Sequence, residues 1–269
     1  MPRYDLAAMA RRAKPGMRKR SIVLRDIDPP GTLATNLFRA VYNPVVQAWA
    51  SGAERIIAAY AATVSEMTTD APADVRAEID GAAEQINRLV LLLTPEVRDW
   101  ALRTEQWFRG KWRGAVLSAT GVDLDTMIGA GDVRASLETS IEWNVALVKD
   151  VSDVTRQKIS NAVFDGLRNR TPAREVAKTI RDSVGMSRSR STRIASDQLN
   201  KLTSALADER RREAGIDTWI WRHSRKAHPR ADHQARDGKE YTDDTAPQDL
   251  PGRLPYCGCR SQAVIHFDG

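Results

Sequence analysis

From Thr32 the chain enters three long alanine-rich, helix-favouring segments, 33–67, 73–93 and 95–118, so the bulk of the fold has to be built from helices. The breaks between them are chemically marked. Pro72 sits where a first turn can begin after Asp70, and Thr94, Pro95 and Glu96 combine an N-cap with a proline at the next position. Pro44 is placed to kink or divide the first segment. Further on, Asp132 can cap a helix running towards Lys149, and Ser152 can open another that continues through Asn161 to Leu167. Thr171, Pro172 and Glu175 start a short helix to Asp182. A Ser/Arg stretch, Ser187 to Ser191, leads into a long helix over 192–213 that ends at Gly215.

The texture changes at Asp217. Thr218 to Trp221 read as a strand, and Asp237 with Gly238 suits a hairpin whose outgoing strand is 239–242. Pro251 and Gly252 suit a turn, and Ala263 to Ile265 read as a closing strand. The expected fold class is therefore mainly α: an elongated helical body with a small C-terminal α+β, turn-rich, Cys/His-containing appendage. The expected division is a basic arm over 1–31, a helical body over 32–185 and a third region over 186–269.

The 42% hydrophobic and 28% charged fractions suit a folded globular chain, and no apolar run approaches the roughly 20 residues that span a bilayer. No signal-peptide pattern follows the basic N-terminus, and two cysteines are too few and too local for a disulfide framework, so a reducing cytoplasm is expected. The net charge of +6 favours a polyanionic neighbour. Arg11, Arg12, Lys14, Arg18, Lys19 and Arg20 are the candidate phosphate contacts, against the plainer reading of a solvated tail. Trp100, Trp107 and Trp112, interleaved with Arg103, Arg109, Lys111 and Arg113, could stack on bases; the favoured reading is a tryptophan core under a solvated arginine face.

His228, His233, Cys257 and Cys259 supply two imidazoles and two thiols, a set that zinc accepts in a closed tetrahedral structural site. The Cys-x-Cys gap is tighter than usual, and a polar loop cluster with two reduced cysteines stands as the alternative. His223 could replace His228, and His266 reads as exposed.

Two stretches resemble the head-morphogenesis domain of phage Mu F-like minor head proteins. The first runs from Arg193 through Asn200 and Ala205 to Ala214, Gly215 and Ile216, and on to Trp219 or Trp221. The second has Arg230, His233, Asp237 and Gly238, then Pro251 and Gly252, then Cys257 and Cys259, in the order of the family's signature. Ser196, Asp197 and Gln198 stand where the family commonly has Arg-Thr-Glu, and Gly258 replaces an arginine. The resemblance implies a non-enzymatic virion protein of a tailed phage. Such a protein associates with the portal protein, the major capsid protein or both, in several copies inside the capsid near the portal vertex. It joins in the host cytoplasm during head assembly and can contact packaged double-stranded DNA or leave with it.

Two other classes compete. A metal-dependent nuclease or toxin-like hydrolase would use His228 or His233 as base and Asp232 or Asp237 on a metal, but no defensible catalytic spacing accompanies them. A sequence-specific DNA-binding regulator lacks a helix-turn-helix with a base-reading face.

Overall fold

Helix dominates the computed structural model, which describes residues 2–66 and 71–267. The helices are α1 (Leu6–Ala13), α2 (Gly31–Leu37), α3 (Asn43–Glu66), α4 (Ala71–Leu92), α5 (Thr94–Thr120), α6 (Arg134–Asn169), α7 (Ala173–Glu213) and the single-turn α8 (Ala231–Ala235). The strands are β1 (Ser21–Val23), β2 (Thr218–Arg222), β3 (Glu240–Thr242) and β4 (Arg260–His266), in one antiparallel sheet of order β1-β4-β2-β3. The mainly α expectation holds. Among the described residues no helix is long and apolar enough to cross a membrane.

Several expected breaks differ. The first segment divides before Pro44: a π-helical turn over Phe38–Tyr42 joins α2 to α3, because proline has no N–H for the regular i−4 bond. Met67 and Asp70 lie outside the described residues. Ser152 opens no helix; α6 runs through it, and its buried hydroxyl accepts from Trp49 Nε1 at 3.0 Å. The two helices expected on either side of the Ser/Arg stretch are one, α7. Ser183, Ser187 and Ser191 each donate to the carbonyl four residues back, at 2.9, 3.1 and 2.8 Å, so their hydroxyls are satisfied without leaving the helix. The end at Gly215 is as expected. This glycine has φ +68, and the N–H of Ile216 reaches back to Arg211 at 2.9 Å.

The chain forms two compact units. One comprises Ala34–Asp99 and Ile141–Ala195, an all-helical unit whose core includes Trp49, Ile56, Tyr60, Ile79, Ile86, Val148 and Ile159. The other comprises Met1–Leu33, Trp100–Ser140 and Ser196–Gly269 and holds the sheet. In this second unit Trp100 and Trp112 are buried in the core, as favoured from the sequence, while Trp107 is half-buried.

The segment read as an exposed basic arm is partly built into this unit. α1 buries Leu6 and Ala10, and β1 pairs with β4 as the sheet's edge, burying Ile22. The strand is only three residues long and flanked by cations, too short for its alternation to stand out. All six proposed phosphate contacts remain exposed; Lys14 also donates to the Ala119 carbonyl at 3.2 Å.

Candidate metal centre

Three turns deliver the centre. β2 and β3 pair antiparallel, but not through the tight hairpin expected at Asp237 and Gly238: residues 223–239, including α8, lie between them. Gly238, at φ +80, follows α8 and donates its N–H to the Trp221 carbonyl at 2.9 Å, and α8 presents His233 to its interior side. The loop before β4 brings Cys257 and Cys259 to the same place. Gly252 has φ +73 and lies so close to α7 that an added Cβ would sit 2.8 Å from Ser204 Cβ and 3.3 Å from the Asn200 carbonyl, so this turn needs glycine twice over. Tyr256 also adopts a left-handed backbone, φ +60, and its N–H donates to Asp197 Oδ1 at 2.6 Å. Asp197 is itself buried and paired with Lys201 at 2.8 Å. Asp197, the middle residue of the Ser196–Gln198 stretch, thus has a polar task, fixing the backbone next to Cys257.

One ligand atom each from His233, Cys257 and Cys259 lies within 4.8 Å of the others, and all three residues are buried. His233 Nδ1 is 3.4 Å from Cys257 Sγ and 3.5 Å from Cys259 Sγ. Its Nε2 is 3.0 Å from Asp249 Oδ2, whose other oxygen accepts from Arg236 at 2.6 Å. Trp219 and Trp221 pack with the two cysteines, flanked by Tyr241, Leu250 and Leu254. The Cys257 thiol is lowered to about 5. A hydrogen bond from the Cys259 thiol is the largest cause, burial opposes it, and the N–H groups of Cys259 and Gly252 and the nearby His233 add to the lowering. Cys259 is pushed up, by its bond to Cys257 and by burial.

Of the four expected ligands, the structure brings three together. His228 is exposed and outside the trio; it precedes α8 in a turn segment whose Arg230 side chain is tied to the Pro255 carbonyl at 2.9 Å. His223 is half-buried, with Nδ1 accepting from Arg225 N at 3.2 Å, and His266 is exposed beside Glu240 at 3.2 Å. Asp232 and Asp237, the carboxylates of a nuclease reading, are exposed, and Asp237 caps the His223 N–H at 2.9 Å. Among the described residues the trio is the one group of three or more ligand atoms. Asp249 and Arg236 escape sequence reasoning because neither stands at a motif spacing; the only pointer is proximity to Leu250, Pro251 and Gly252.

Residues 157–262, which contain the trio and Asp249, match the family described as Phage Mu protein F like protein. This segment is similar to the phage Mu F-like family. The matched segment thus takes in the end of α6, all of α7, β2, α8 and β3, and the start of β4. A Haemophilus influenzae chain designated "Uncharacterized protein" is 29% identical over 149 residues, which is 54% of this chain and 33% of that one. The match therefore spans about a third of the relative. No solved structure matches the chain.

Proposed function

We propose that this chain is a structural minor head protein of a tailed bacteriophage, one that joins the particle during head assembly. The observation that carries the reading is the F-like match over the segment that builds the buried Cys/His centre. Its partners in this reading are the portal protein, the major capsid protein or both, in several copies inside the capsid near the portal vertex. Packaged DNA lies against the basic N-terminal segment, and the chain stays with the head or leaves with the DNA.

Zinc is the ion proposed for the centre. Two thiols and one imidazole, all buried, are a soft donor set suited to it, and a histidine whose second nitrogen bonds a carboxylate is the usual arrangement of a metal ligand. When bound, zinc would tie α8 to the loop before β4.

A hydrolase is the second reading, favoured by one observation. Cys257, His233 and Asp249 form a thiol, imidazole and carboxylate row, and three protein ligands rather than four leave a metal a free position. The 3% exposure of both cysteines weighs against it, since a substrate must reach the sulfur. Purified chain that cleaves DNA or protein, with the activity lost in a folded His233→Ala variant, would establish the hydrolase instead.

DNA contact is tested by charge removal rather than truncation, because α1 and β1 belong to the folded unit. Changing Arg11, Arg12, Arg18, Lys19 and Arg20 to glutamine is expected to weaken binding to any duplex sequence alike. The slope of log affinity against log salt should become shallower by about 0.9 for each phosphate left without its cation. Unchanged affinity and slope, measured by salt-dependent fluorescence anisotropy, would assign these cations to another surface.

A further inference from the structure

We infer that Asp249 is the positioning residue of the metal centre: by accepting the Nε2–H of His233 it fixes the imidazole in the tautomer whose Nδ1 lone pair faces Cys257 and Cys259, and Arg236 holds Asp249 in place for this. The inference rests on the zinc reading above. A neutral imidazole carries its proton on either nitrogen, and only the Nε2–H form offers Nδ1 to a metal. Nδ1 is the nitrogen on the sulfur side, 3.4 and 3.5 Å from the two Sγ atoms, while Nε2 points to Asp249 Oδ2 at 3.0 Å. The carboxylate cannot turn away without breaking its second bond, from Arg236 to Oδ1 at 2.6 Å.

Arg236 is in turn fixed from the other side. Its guanidinium lies over the Trp221 ring, 5.1 Å from the centroid, and the same ring meets the His233 imidazole edge-on, with centroids 5.0 Å apart and planes at 80°. Trp221 and Asp249 therefore both contact the imidazole, Asp249 at Nε2, while its Nδ1 edge faces the thiols. Both Asp249 oxygens are engaged in these bonds, which gives the residue an outer role rather than that of a fourth ligand.

The test uses the full chain. Zinc affinity is measured by competition with a chromophoric chelator for the wild type, Asp249→Asn and Asp249→Ala, and 15N spectra of the histidine rings report the His233 tautomer. Loss of an outer carboxylate is expected to weaken zinc binding by about 10–100-fold, with Asp249→Ala the more affected. In the metal-free chain His233 should shift from the Nε2–H form to a mixture while amide spectra show the rest of the sheet-bearing unit folded as in the wild type, which separates the role of Asp249 from a general loss of stability. Wild-type chain that binds zinc, with both variants matching it in affinity and in the His233 signature, would overturn the role of Asp249 and leave the zinc reading intact. Wild-type chain that takes up no zinc would instead remove the zinc reading, and the inference with it.

Discussion

Replacing Cys257 and Cys259 together by serine is expected to abolish stoichiometric zinc binding and to unfold the C-terminal part of the sheet-bearing unit. The segment from Arg222 to Arg260 has little core of its own. Its apolar anchors are Trp221 with the two cysteines, lined by Tyr241, Ala246, Leu250 and Leu254, and most of its other residues are exposed or half-buried. A centre that ties α8 to the Cys loop removes much of the chain entropy such a segment retains. Structural zinc supplies about 10–16 kcal/mol of apparent binding energy in zinc-finger peptides, so a loss of several kcal/mol is expected even where β2 and β4 remain paired. Because thiol ligands must release protons, zinc affinity should also fall as the pH is lowered. Hydrogen exchange resolved by peptide, with elemental analysis, checks both parts. Full protection of 231–259 in the double variant would show that the loop needs no metal.

A loss of similar size is expected for Arg210→Ala, at a point remote from the cysteines in sequence. Arg210 is fully buried, at 0% exposure, on the last turns of α7. Its guanidinium donates to Glu105 at 3.0 Å, to the Gly129 carbonyl at 2.8 Å and to Glu213 at 2.7 Å, with Asp132 at 3.6 Å. Glu105 is itself 1% exposed. Removing the arginine leaves that carboxylate buried without its strongest partner, and breaking a buried pair in this way costs about 3–5 kcal/mol. Arg210→Met combined with Glu105→Leu removes both charges and fills much of the space, and should recover most of the stability. Denaturant unfolding decides the matter: a single variant within about 1 kcal/mol of wild type would mean that water reaches Glu105 and replaces the arginine.

The parts of the fold legible in the sequence are those written in local chemistry. Thr94 and Pro95 mark the start of α5 and Gly215 the end of α7, because each acts through its own backbone. Asp237 with Gly238 reads as a tight hairpin, yet α8 stands where its incoming strand would be. Continuity is harder to read. Ser152 and the Ser187 to Ser191 stretch look like breaks, yet Ser152 is consumed by Trp49 from another helix, and the serines of α7 bond their own preceding turn. β1 shows the same limit, since Ile22 becomes a strand residue only through Ile265, more than two hundred residues away. At the centre, residue type alone points to His233, Cys257 and Cys259. It cannot separate His233 from His228, because the choice depends on α8 turning one histidine inward while the other stays on an exposed turn. Asp249 becomes visible only once the loop has closed over the imidazole.

Head morphogenesis is tested most directly by complementing a phage deleted for this gene with the wild-type chain or with His233→Ala plus Cys259→Ala, then counting filled heads and assaying the chain in purified particles. The proposed function predicts that the wild-type chain is found in the particles and restores DNA-filled, infective heads. The double variant should be depleted from them and leave assembly impaired. Normal yields of filled heads without the gene, and particles that never contain the chain, would contradict it.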